Sequence, residues 1–163
     1  MQYLPLSFAA AAALVVMSFS PGALAQGRYT VSADEQEVTD SKTGLIWRRC
    51  AEGMTWKGRT CTGKAGFYNH SEATARAKAA SSATAEWRLP ILKELSSIVA
   101  VREAEEGKAA IDPNAFPGTP VARYWTASSS GPGYFTYVGF SDGGAGESPR
   151  SAPGALRLVR NAK

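Results

Sequence analysis

The sequence is poor in the residue types that build most metal and catalytic centres. Its 163 residues include one histidine, His70, and two cysteines, Cys50 and Cys61. A metal site at the two cysteines would need further cysteine or histidine ligands, which a single histidine does not supply. No serine or acidic partner stands at a recognisable spacing from His70, so a nucleophilic triad is not indicated. We therefore predict no catalytic residues, no metal site and no cofactor, and we expect a protein that is not an enzyme.

Repeats and membrane-length apolar runs are also missing. The chain has no internal repeat, no collagen-like Gly-X-Y stretch and no heptad pattern, which indicates a single globular module. Its one long apolar run, residues 8–19, is too short to span a membrane and is followed by Ala-Leu-Ala at 23–25, a small-x-small cleavage site. This predicts a signal peptide over residues 1–25, with a retained N-terminal anchor as the alternative. We expect residues 26–163 to form one exported domain, periplasmic or secreted, with no membrane span after cleavage.

Export gives the two cysteines a structural interpretation. An even number of cysteines in an exported chain favours a disulfide, here between Cys50 and Cys61. Ten residues lie between them. Closing a loop of this size should stabilise the fold by about 2–3 kcal/mol through the unfolded state.

The positive charge is concentrated in the region of this loop. The chain carries a net charge of +4, and residues 42–64 contain six basic residues against Glu52 alone. A basic loop on an exported protein favours an anionic partner, such as an acidic polysaccharide or a surface protein. Trp56 offers an indole face on which a sugar ring could stack, while neighbouring cations could hold sulfates or carboxylates. The predicted ligand-binding residues are Arg49, Trp56, Lys57, Arg59 and Lys64.

Alternatives to this ligand surface remain open. The basic residues could form a merely solvated face, and Trp56 could be a lid over a small satellite core. Nucleic acid is not an expected partner. The chain is expected to be exported and has no recognised nucleic-acid-binding motif, so its high isoelectric point alone does not indicate nucleic-acid binding. The oligomeric state does not follow from the sequence.

The core is predicted around the segment that leads into a helix at Pro90. A proline suits the first helical turn, and the apolar residues at 91, 92, 95, 98 and 99 form one stripe of an amphipathic helix. A second helix is predicted over residues 71–80, with Ser71 near its N-cap. Short strands account for most of the remaining apolar segments. The predicted fold is α+β and loop-rich, with two helices packed on short, mostly antiparallel strands. The predicted core residues are Trp47, Trp87, Leu95 and Trp125.

Several motifs carry a resemblance to a known family. They are Trp-Arg-Leu-Pro-x-x-x-Glu-Leu at 87–95, Val-Thr-Asp-x-x-Thr-Gly-Leu-x-Trp at 38–47, Arg-Cys-x-x-Gly-x-x-Trp at 49–56 and Leu-Arg-x-Val-Arg at 156–160. Together they resemble the Lcl C-terminal domain family, a set of bacterial exported domains with a C-type-lectin-like fold. One departure is Ile91, which stands where the family often has a threonine that could cap the helix.

The resemblance implies a function as well as a fold. It implies a non-catalytic, exported recognition or adhesion domain that binds an anionic glycan or another cell-surface ligand. One alternative is a structural or assembly subunit of a surface or envelope complex. A minor alternative is a sulfatase-modifying-type enzyme, because the formylglycine-generating branch of the same fold has a related Arg-Leu-Pro turn.

Overall fold

The computed structural model of the protein describes residues 27–101 and 106–162. The predicted signal peptide, residues 1–25, lies outside the described residues. The elements found in these two ranges are, in chain order, β1 (Tyr29–Val31), β2 (Glu37–Asp40), β3 (Leu45–Arg48), β4 (Thr55–Trp56), β5 (Cys61–Thr62), α1 (His70–Ala79), α2 (Leu92–Ser97), β6 (Arg123–Gly131), β7 (Tyr134–Gly139), β8 (Ala145–Pro149) and β9 (Val159–Asn161). No helix in this part of the chain is long and apolar enough to cross a membrane.

The strands form three antiparallel sheets. A four-stranded sheet in the order β1-β2-β3-β9 places the last strand beside the third. Alternation along these strands puts Val38, Trp47 and Val159 on the buried face. Strands β6, β7 and β8 form a three-stranded sheet, and β4 pairs with β5. The predicted α+β class, with two helices and antiparallel strands, is thus confirmed in the described residues.

Helix α1 begins one residue earlier than predicted, and its cap is different. The side chain of Asn69, not Ser71, accepts a hydrogen bond from the Glu72 N–H at 3.0 Å. The Glu72 carboxylate in turn accepts from the Asn69 N–H at 3.0 Å, which completes a capping box. His70, Ala73 and Ala77 form the buried face of the helix, and the small size of the two alanines allows close packing.

Helix α2 is shorter than the apolar stripe suggested. Ile91 is its N-cap residue and is 46% exposed, so its assignment to the buried stripe is wrong. An isoleucine side chain cannot accept a hydrogen bond, and two other groups satisfy the first N–H donors. The Ser128 hydroxyl accepts from the Leu92 N–H at 3.0 Å, and the Glu94 carboxylate accepts from the Ile91 N–H at 2.9 Å. A residue on β6 therefore supplies the cap that the helix sequence lacks.

The core contains two apolar clusters. Trp47, Trp87, Leu95 and Trp125 are between 0% and 3% exposed. Trp47 and Leu95 belong to one cluster, while Trp87 and Trp125 belong to the other. The indole N–H of Trp125 donates to the Tyr68 carbonyl at 2.9 Å, which satisfies its polar atom inside the protein.

Candidate functional site

The two cysteines close a small ordered hairpin. Cys50 and Cys61 form a disulfide, with their Cα atoms 5.4 Å apart. Inside it, β4 and β5 pair antiparallel, and the Lys57 N–H donates to the Thr60 carbonyl at 3.0 Å across the turn. We call residues 50–64 the disulfide hairpin. Its backbone is held both by the covalent bond and by its own hydrogen bonds.

Two glycines show how closely the disulfide hairpin packs on its neighbours. A Cβ atom on Gly53, whose φ is +89°, would come within 2.7 Å of the Gly66 nitrogen. A Cβ atom on Gly118, whose φ is +67°, would come within 2.7 Å of the Cys61 carbonyl oxygen. Only glycine fits these contacts and these backbone angles without strain. The hairpin is therefore docked between the segment that follows it and the loop around Gly118.

Arg49 was predicted to belong to an exposed ligand surface, and this prediction is wrong. The residue is only 6% exposed, and its guanidinium donates three hydrogen bonds to backbone carbonyls. Nε donates to Ala115 at 3.0 Å, Nη1 to Glu35 at 3.0 Å and Nη2 to Asn114 at 2.8 Å. Burial lowers the pKa of Arg49. The Arg49 guanidinium therefore links segments that are distant in sequence through these hydrogen bonds, and it is not exposed to solvent.

The sequence left two interpretations of Trp56 open, a surface residue that stacks on a ligand and a lid over a small satellite core, and the structure has features of both. The residue is half-buried, and the Arg49 guanidinium carbon lies 4.3 Å from the centroid of its ring. This is a cation–π contact, and it occupies one face of the indole. Trp56 therefore has a structural partner on one side, and its part in ligand binding stays a prediction.

Lys57, Arg59 and Lys64 are exposed on the disulfide hairpin. The ion pairs of the described residues are elsewhere: Arg28–Asp40, Arg76–Glu52, Arg88–Glu94 and Arg160–Glu37. None of the three hairpin cations is therefore neutralised by a carboxylate in the part of the chain that the structure describes. Of the five predicted binding residues, these three are exposed cations of the same hairpin.

Arg157 is a buried structural residue whose role the sequence did not indicate. It is fully buried in the closing segment of the chain, and burial lowers its pKa. Nη1 donates to the carbonyls of Arg48 and Arg49 at 2.9 and 2.5 Å, and Nη2 donates to the Thr119 hydroxyl at 2.7 Å. The flanking residues Leu156 and Leu158 could have indicated that Arg157 is buried. A charged residue inside an apolar run needs buried hydrogen-bond partners.

A cavity lies beside the disulfide hairpin. Its volume is about 340 Å³, and its lining includes Lys108, Phe116, Gly118 and Thr119. The Gly118 backbone touches the hairpin, as described above, and the Arg157 guanidinium lies 4.9 Å from the centroid of the Phe116 ring. One exposed cation, Lys108, and one buried cation, Arg157, thus lie at or beside this cavity.

His70, the only histidine, is a buried residue of the core. Its Nε2–H donates to the Thr126 carbonyl at 2.8 Å, and its ring stacks on Phe135 with centroids 3.5 Å apart. Burial lowers the pKa of His70, because the charged form would lose its water. The described residues contain no group of three or more His, Cys, Asp or Glu side chains arranged to hold a metal ion.

These features define a small α+β domain that carries a basic, disulfide-closed hairpin. The chain belongs to the Lcl C-terminal domain family, whose sequence model matches residues 36–160, well over half of the chain. The matched region includes both helices, the hairpin and most of the closing strand. The resemblance drawn from the motifs is thus confirmed. No curated protein is significantly similar to the chain.

Proposed function

We propose that this protein is a non-catalytic, exported recognition or adhesion domain that binds an anionic glycan or another anionic cell-surface ligand. The observation that carries the proposal is the set of three exposed cations, Lys57, Arg59 and Lys64, which lie on one disulfide hairpin and form no ion pair with the described residues. Arranged on an ordered backbone, they can bind sulfate or carboxylate groups with little additional loss of backbone freedom.

Export and a C-type-lectin-like fold are part of the same proposal. The disulfide is consistent with an oxidising compartment, which supports export. Two short helices, antiparallel sheets and long irregular connections support the fold assignment.

The absence of catalysis is also part of the proposal. The minor alternative, a sulfatase-modifying-type enzyme, requires a reactive thiol, and both cysteines of the chain are engaged in the disulfide. This pairing supports the non-catalytic assignment. A thiol titration of the folded protein checks it, since a reactive thiol would favour the enzyme.

Chromatography of residues 26–163 on immobilised heparin in a rising NaCl gradient tests the glycan proposal. We expect the protein to be retained at low salt and released as screening weakens the contacts. Arg59→Ala should elute at lower salt, because it removes one exposed cation of the hairpin. The matched control is Lys93→Ala, which removes an exposed cation on α2, and it should elute like the unchanged protein. Passage through the column without retention at low salt would contradict the proposal.

The second candidate, a structural or assembly subunit of an envelope complex, is favoured by one observation. A groove of about 590 Å³ lies between α1 and the segment before α2, and its lining includes Ala77, Leu89, Ala127 and the exposed Ile91. Such a groove, which exposes apolar side chains among charged ones, suits a protein partner. Recovery of a defined partner from envelope extracts, lost with Ile91→Asp and kept with Arg59→Ala, would favour this candidate.

A further inference from the structure

One aromatic side chain near the disulfide hairpin has no ring partner. Phe67 is 55% exposed, which makes it one of the two most exposed large hydrophobic residues in the described ranges. The aromatic and cation–π contacts of those ranges do not include it. An isolated exposed hydrophobic residue needs no explanation by itself. Phe67 differs from other exposed hydrophobic residues in two respects: its backbone is held by hydrogen bonds, and charged residues lie beside its segment.

Hydrogen bonds fix the backbone on both sides of Phe67. The Gly66 N–H donates to the Glu52 carbonyl at 2.9 Å, and Tyr68 exchanges two backbone hydrogen bonds with Gly154, each 3.0 Å long. The Tyr68 ring folds back over Gly66, where a Cβ atom would collide with it. The chain therefore presents the Phe67 ring to solvent from an anchored segment.

Two cations lie beside the segment that carries Phe67. Lys64 is exposed three residues before Phe67, at the end of the disulfide hairpin. Arg76, on α1, places its guanidinium 4.1 Å from the centroid of the neighbouring Tyr68 ring. Its ion pair with Glu52 is long, at 3.5 Å, and exposed pairs of this kind are weak. We call Lys64, Phe67 and Arg76 the Phe67 patch.

We propose that Phe67, rather than Trp56, is the ring on which a sugar unit of the anionic glycan stacks. The inference rests on the proposed function above and refines its site. The apolar C–H face of a pyranose ring suits an exposed aromatic face. One face of Trp56 is occupied by Arg49, whereas both faces of Phe67 are free of ring and cation contacts in the described residues. Lys64 and Arg76 then bind sulfate or carboxylate groups of the same polymer. The ligand class is a polysaccharide that combines pyranose rings with acidic substituents.

The test is calorimetric titration of a heparin-derived oligosaccharide into residues 26–163 at three NaCl concentrations. Phe67→Ala should weaken binding about tenfold at each salt concentration, in the range expected for one aromatic stacking contact. The slope of log affinity against log salt should not change, because no charge is removed. Lys64→Ala should instead make the slope shallower. Phe67→Trp should restore the affinity.

The control is Tyr134→Ala, which removes another exposed aromatic residue, at the start of β7, and should leave the affinity unchanged. Unaltered affinity in Phe67→Ala would overturn the inference, as would an equal loss in Tyr134→Ala. If Arg59→Ala still weakened binding in that case, the proposed function would stand without the Phe67 patch. No binding by the unchanged protein would overturn both.

Discussion

Replacing Arg49 by methionine should destabilise the protein far more than the same change at Arg59. Arg49 is buried and donates three hydrogen bonds to carbonyls of Glu35, Asn114 and Ala115. Methionine fills similar space but leaves these carbonyls without their charged donor. At about 1 kcal/mol for each lost hydrogen bond, the free energy of unfolding should fall by about 3 kcal/mol. Domains of this size are stable by about 5–15 kcal/mol, so the variant should remain folded at room temperature.

The matched variant Arg59→Met changes an exposed residue of the same type in the disulfide hairpin, which begins directly after Arg49. Its free energy of unfolding should change by no more than about 0.5 kcal/mol. Urea denaturation followed by tryptophan fluorescence measures both values, and comparable m-values would show that the same surface is exposed on unfolding. Heparin retention should fall for Arg59→Met without any loss of stability. Equal stabilities of the two variants would refute the assignment of Arg49 as a structural residue, and unchanged heparin retention of Arg59→Met would refute the assignment of Arg59 as a ligand-binding residue.

Two further predictions concern stability. Replacing Cys50 and Cys61 together by serine should lower the free energy of unfolding by about 3 kcal/mol, as expected for opening a loop with a sequence separation of 11; an unchanged urea midpoint would contradict this. Stability should also fall as the pH drops below 6.5, because burial depresses the pKa of His70 in the folded state and the unfolded state then binds more protons. Since the chain has one histidine, His70→Phe should flatten the dependence of the melting temperature on pH between about 5 and 7; a dependence that persists would assign it to another group.

Local sequence patterns were sufficient to predict the core but not the buried polar contacts. Trp47 follows the alternation of a half-buried strand, and Leu95 lies on a stripe with helical spacing, so both patterns reflect burial directly. The partners of Arg49 include the carbonyls of residues 114 and 115, which are more than 60 positions away in sequence. No local pattern reveals such contacts, which is why this residue was assigned to the surface.

In the candidate site, too, some features follow from local sequence patterns and others depend on contacts between distant segments. Lys57, Arg59 and Lys64 were predicted as exposed from charge clustering, and clustered cations do avoid burial. Phe67 lies in a segment without helical or strand periodicity, where sequence patterns give no information about exposure. Its position depends on the contacts of Gly66 with Glu52 and of Tyr68 with Gly154, which only the folded chain brings together.

The most direct test of the account is the salt dependence of heparin affinity for the variant Lys57→Ala/Arg59→Ala/Lys64→Ala. We expect the log affinity of the unchanged protein to fall linearly with log salt, as counterions are released from the polyanion. The triple variant should bind more weakly and with a clearly shallower slope, while its free energy of unfolding stays within about 1 kcal/mol of the unchanged value. An affinity and a slope equal to those of the unchanged protein would show that the disulfide hairpin is not the binding surface.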